Sequence, residues 1–155
     1  MARGDDIEER LIEFAVRVVK LCGSLPKTPA GNHVAGQLLR SGTAPAALYA
    51  EARGAESTKD FVHKLKICLK ELNESRIWLI IITRSELLPE SRLQKLIQAC
   101  EELGKIINAS IKTARSGSSS AGNVPAQATT TGEKKPPNAG TTPHLAHHRH
   151  PPINN

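Results

Sequence analysis

Apolar residues recur in steps of three and four along four stretches of this chain, and that spacing predicts four amphipathic α-helices. The first runs from Asp5 to Leu25, with Ile7, Leu11, Phe14, Val18, Leu21 and Leu25 on one side. Asp5, Asp6, Glu8 and Glu9 sit near its N-terminus, where the helix dipole favours negative charge. Gly23, Pro26 and Pro29 then close it. The second runs from about Asn32 to Arg53, with Val34, Leu38, Ser41, Pro45, Leu48 and Ala52 as its stripe. Its centre, RSGTAPAA, is built of small residues that permit close helix approach, and Pro45 is expected to kink or break it. The third and longest, Ser57 to Arg84, contains no Gly or Pro and places Phe61, Leu65, Cys68, Leu72, Ser75, Leu79 and Ile82 on one side. Ser57 with Asp60 three residues later marks its start. The fourth follows the SELLPES connection and runs to about Ala114, striped by Leu93, Leu96, Cys100, Leu103 and Ile107. Four helices joined by short links pack most simply as an all-α, antiparallel up-down-up-down four-helix bundle.

The far side of the third helix carries a second pattern. At 100° per residue, Lys59, His63, Lys66 and Lys70 share a narrow arc opposite the apolar stripe. The same arc continues as Asn73, Ile77, Ile81 and Arg84. The outer face therefore begins basic and ends apolar. With IWLIII at positions 77–82, the last turns are apolar all round, which a helix with one buried side does not require. Either the helix end is better covered inside its own bundle, or a second subunit covers it. The second reading makes Ile77, Trp78 and Ile81 an oligomer interface and the chain a homo-oligomer.

Composition narrows the class. Hydrophobic residues make up 39% of the 155 but aromatic ones only 3%, which suits a helical bundle better than a sandwich of strands. The net charge of +6 permits attraction to nucleic acid or an anionic surface without choosing between them. Cys22, Cys68 and Cys100 are far apart, each inside an apolar pattern; an odd number without close spacing argues against disulfides or a zinc site. They read as buried hydrophobes in a reducing compartment. The charged opening MARGDDIEER and the lack of a long apolar run point to a cytoplasmic protein with no membrane segment. The bundle is expected to span residues 1–114. Residues 115–155 are rich in Gly, Pro, Ser, Thr and Asn and bury too little to offset ordering entropy, so they read as a disordered tail. Arg115, Lys134, Lys135 and Arg149 against Glu133 alone give that tail half of the net charge.

One stretch of this pattern is specific. Gln37 to Leu79 contains LLRSGT, the Tyr49–Glu51 segment, then S-x-x-DF-x-x-KLKI-x-x-KE-x-x-E-x-x-x-WL. It resembles the bacterial four-helix-bundle family first named for proteins encoded in intervening sequences of 23S ribosomal RNA genes. With weaker agreement in the flanking helices, the likeness covers roughly residues 5 to 114. The resemblance implies a four-helix bundle, commonly assembled as a ring-like homopentamer. It also implies partners: a related member, the accessory variability protein of diversity-generating retroelements, binds a reverse transcriptase and nucleic acid through basic surface. In helix two this chain has Ala44, Pro45 and Leu48 where the family usually has Ser-Ile and Asn.

No constellation in the sequence spells out a reaction, so no catalytic residue, metal ligand or cofactor is expected. Glu71 and Glu74 form a carboxylate pair, but a di-iron bundle needs Glu-x-x-His on two helices, and that motif is absent. The pair is expected to meet Arg or Lys across the bundle, with Arg40 a candidate. The serines near Arg40 have no nearby His base, and there is no Gly-rich phosphate loop. His144, His147, His148 and His150 suggest only incidental affinity for transition metals. Two function classes remain. One is a non-enzymatic, oligomeric protein binding nucleic acid through Lys59, His63, Lys66 and Lys70 with little sequence preference, as an accessory to a reverse transcriptase or similar enzyme. The other is a scaffold for protein partners in which that stripe is only a solvated face.

Overall fold

A computed structural model describes residues 3–120. They form four helices, α1 (Arg3–Ser24), α2 (Pro29–Arg53), α3 (Thr58–Arg84) and α4 (Gln94–Ser120), with a single 3-10 turn, Glu90–Arg92, before the last. The helices run up-down-up-down. Successive helices pack along their lengths, α1 and α4 close the bundle less tightly, and α1 and α3 stand on a diagonal.

The predicted stripes are the core. Leu11, Phe14, Val18, Leu38, Leu65, Cys68, Leu72, Leu79, Ile82, Leu93, Leu103 and Ile107 are essentially inaccessible. Phe61 is only half-buried, because it lies in the first turn of α3, at the end of the bundle. Burial pushes the Cys68 and Cys100 thiols up to about 12, so both stay protonated and inert.

Three features depart most from the sequence reading. Helix α2 begins at Pro29, because the Thr28 side chain accepts the Gly31 N–H at 3.1 Å and Pro suits the first helical position. A side chain at position 31 would meet the Pro26 carbonyl oxygen at 2.0 Å, so the turn requires glycine there. Pro45 does not break α2, which runs on to Arg53. Pro45 is itself fully buried, and beyond it the chain buries Tyr49 and Ala52 while Leu48 is left partly exposed. Helix α4 extends past Ala114 to Ser120, so Arg115–Ser120 belong to the helix rather than to a tail. Residues 121–155, including the His cluster and the rest of the expected disordered segment, lie outside the described residues.

The start of α3 is as expected: Ser57 accepts the Asp60 N–H at 3.1 Å. Its end is a paired cap. The Leu87 N–H reaches the Ile82 carbonyl and the Glu86 N–H the Thr83 carbonyl, both at 3.2 Å, with Glu86 at φ 56°. Polar ties then fix each seam. Arg53 holds Asp5 at 2.6 Å and also Glu8, joining α2 to α1. At Gly42 an added Cβ would sit 2.7 Å from Val18 Cγ1, so the small-residue centre of α2 does let α1 approach closely. Lys64 meets Glu51 at 2.9 Å across α2 and α3, and Arg76 meets Glu101 at 2.8 Å across α3 and α4. The hydroxyls of Ser41 and Ser75, both fully buried, meet at 2.9 Å between α2 and α3.

Candidate nucleic-acid interface

The outer face of α3 is divided as its sequence indicates. Lys59, His63, Lys66 and Lys70 are all exposed. The structure brings three of them together with residues that the sequence reading had set aside. Lys59, His63 and Lys66 line an open groove with Thr58 and Val62 of α3 and with Arg115, Ser118 and Ser119 of α4, enclosing about 560 Å³. Lys70 stands one turn beyond it and does not line it. The groove exists because α4 runs six residues past Ala114 and lays its last turns beside the first turns of α3.

The electrostatics of this groove differ from those of the seams. Among the described residues, Lys59, Lys66, Lys70 and Arg115 make no ion pair, whereas Lys64, one residue from His63, is tied to Glu51. The groove therefore offers three uncommitted cations, a histidine and the hydroxyls of Thr58, Ser118 and Ser119. All of these can bond phosphate oxygens, and Arg115 alone carries the planar fork suited to a base edge. Arg115 was the residue the sequence should have supplied. Its signal was the Ile107–Ile111–Arg115 spacing, which continues the α4 repeat.

The carboxylate pair is structural. Arg40 donates to Glu71 at 3.0 Å and to Glu74, so one guanidinium takes both acids. The hydrogen bond from Arg40 holds the Glu74 carboxyl below its usual range, and the same bond raises Arg40. Trp78 joins this cluster. Its Nε1 donates to Glu74 at 3.3 Å, and its ring stands edge-on to His33 with centroids 5.9 Å apart. Trp78 is thus half-buried against its own chain, while Ile77 and Ile81, named with it as an interface, are 51% and 38% exposed. No group of three or more potential metal ligands occurs among the described residues. No described helix is long and apolar enough to cross a membrane.

The profile of 23S rRNA-intervening sequence proteins matches residues 6–109. The chain belongs to this family. It is also similar to a solved structure from Bacteroides thetaiotaomicron, a protein with unknown function from the S23 ribosomal protein family. The two are 35% identical, with a TM-score of 0.65 over 68% of this chain and 98% of that one. Among curated proteins none matches the chain. The family match ends before Arg115, so the last turn of α4 that completes the groove lies beyond the matched segment.

Proposed function

We propose that this family member is a non-enzymatic bundle that binds the phosphate backbone of nucleic acid in the α3–α4 groove, with little preference for sequence. One observation carries the reading: Lys59, Lys66 and Arg115, from two helices, converge on one open groove without acidic partners among the described residues. A single groove neutralises only a few phosphates and binds weakly. Self-association through Ile77 and Ile81 would set several grooves along one strand or duplex and raise the apparent affinity. The ring of five implied by the family resemblance suits that arrangement, as does an accessory role beside a reverse transcriptase or another nucleic-acid enzyme.

The test is salt-dependent binding of unrelated RNA and DNA sequences by the full chain. Reversing Lys59, Lys66 and Arg115 to Glu should weaken binding about equally for every sequence and reduce the salt slope by about two to three units. The control is Lys134→Glu with Lys135→Glu. If that variant loses binding and the groove variant does not, the contact lies in residues 121–155. If the wild type shows no salt-sensitive binding, the protein-scaffold reading replaces this one.

A further inference from the structure

The loosest seam of the bundle holds a cleft. α1 and α4 close less tightly than the other neighbouring helices, and near the N-terminus of α1 the gap encloses about 480 Å³. Ile7, Tyr49, Phe61 and Ile106, one from each helix, form its apolar floor. The cleft stays open because α4 is small-sided here: Ala109 and Ser110 stand where larger aliphatic side chains would fill it. At the rim are Arg3 of α1 and Lys105 of α4. Both are exposed, and neither makes an ion pair among the described residues. Among the described residues no acid lines the cleft.

Tyr49 gives the cleft a polar group with no structural task. It is 4% exposed, and its hydroxyl makes no hydrogen bond among the described residues. No buried side-chain nitrogen or oxygen among those residues lacks a partner, so this hydroxyl reaches solvent, and Tyr49 lines the cleft. Burial pushes the phenol up, so it stays protonated and able to donate. An apolar floor, a free donor and two unpaired cations at the mouth suit a small amphipathic anion. We propose that the α1–α4 cleft binds a medium-chain carboxylate. Its hydrocarbon chain lies on Ile7, Phe61 and Ile106, and its carboxylate is held by Arg3, Lys105 and the Tyr49 hydroxyl. The volume falls within the roughly 300–1,000 Å³ of small-molecule sites. Because both cations are solvated, the chain supplies most of the affinity and the charges select the headgroup. The site is independent of the α3–α4 groove, whose Lys59, Lys66 and Arg115 do not line it.

The test titrates the full chain with decanoate and follows backbone amide shifts by NMR. Saturable one-to-one binding is expected, with the shifts centred on the walls of the cleft. From hexanoate to decanoate, each added methylene should tighten binding about threefold to fourfold. Decanol, with no charge to offer Arg3 and Lys105, should bind about tenfold more weakly than decanoate. Arg3→Glu with Lys105→Glu should weaken decanoate by about tenfold or more, and Tyr49→Phe by about threefold to tenfold. Ser110→Leu fills the cleft and should abolish binding; the Ser110 hydroxyl bonds only the Ile106 carbonyl of its own helix, at 3.0 Å, so circular dichroism should show the fold intact. If that variant does not fold, the Arg3 and Lys105 reversal, at two exposed positions, carries the test alone. An absence of saturable binding overturns the proposal. So does binding that survives the charge reversal, which marks adsorption elsewhere on the chain. Decanol binding as tightly as decanoate rejects the carboxylate.

Discussion

Two sets of cations lie on or beside α3, and they do different things. Arg40, Arg53, Lys64 and Arg76 each hold a carboxylate on a neighbouring helix, and together they stitch α1 to α2, α2 to α3 and α3 to α4. Lys59, Lys66, Lys70 and Arg115 have no such carboxylate among the described residues and face outward. The contrast separates charge that locates helices from charge left over for something else. It also shows why the net charge was a poor guide: the total does not say which cations are already neutralised.

The sharpest way to break the comparison is to reverse one member of each set. Arg53→Glu gathers a third acid beside Asp5 and Glu8 at the α1–α2 seam, where like charges repel. It should give the largest loss of melting temperature among the variants considered, with α1 released first. Lys59→Glu, in a solvated groove, should leave the melting temperature unchanged. If the two variants melt alike, the division into structural and free cations fails.

Arg115→Glu probes the second set alone. Thermal unfolding should be unaffected, while nucleic-acid binding weakens severalfold and the salt slope falls by about one unit. Arg40→Gln should do the reverse, lowering stability without touching binding.

A smaller effect concerns acid. The hydrogen bond from Arg40 depresses the folded Glu74 carboxyl, so its stabilisation is fully present above the ordinary carboxylate value. It is lost as pH falls through the depressed one. Arg40→Gln should therefore narrow its deficit against the wild type as the pH is lowered through that window. A deficit that stays constant with pH would mean that Arg40 acts through packing of its stem rather than through charge.

The smallest effect lies at the apolar end of α3, away from both sets. Glu86 holds a left-handed conformation that favours glycine, at a cost of about 1 kcal/mol. Glu86→Gly should recover a similar amount in denaturant unfolding and change neither binding nor assembly.

The bundle was legible because periodicity reports burial directly: nearly every residue of the four predicted stripes is in the core. Chain breaks were less so. Pro45 reads as a kink or a break in isolation, and the break does not occur: α2, packed against both neighbours, runs on to Arg53. Arg115–Ser120 reads as coil because Gly117 and the serines have weak helix propensity and no apolar residue to bury. That misreading hid the groove, which needs α4 to reach past α3's first turn. The basic stripe was visible on one helix; its partner across the cleft was a matter of tertiary placement. The cleft between α1 and α4 was not legible in spacing, because Ala109 and Ser110 read as ordinary helix positions until Arg3 and Tyr49 are set against them.

The Ser41–Ser75 contact sets a limit on how α2 and α3 can slide. Both hydroxyls are fully buried among the apolar stripes, and they meet across the seam at 2.9 Å. Shifting α3 by one turn would separate the two hydroxyls; Ser75 keeps its bond to the Glu71 carbonyl at 2.9 Å and Ser41 its longer one to Leu38, so the loss is that of one hydrogen bond, about 1 kcal/mol. The two serines thus act as a vernier mark on a greasy ruler: they contribute little to holding the helices together, but they meet in one alignment only, the same one in which Arg40 reaches Glu71 and Lys64 reaches Glu51.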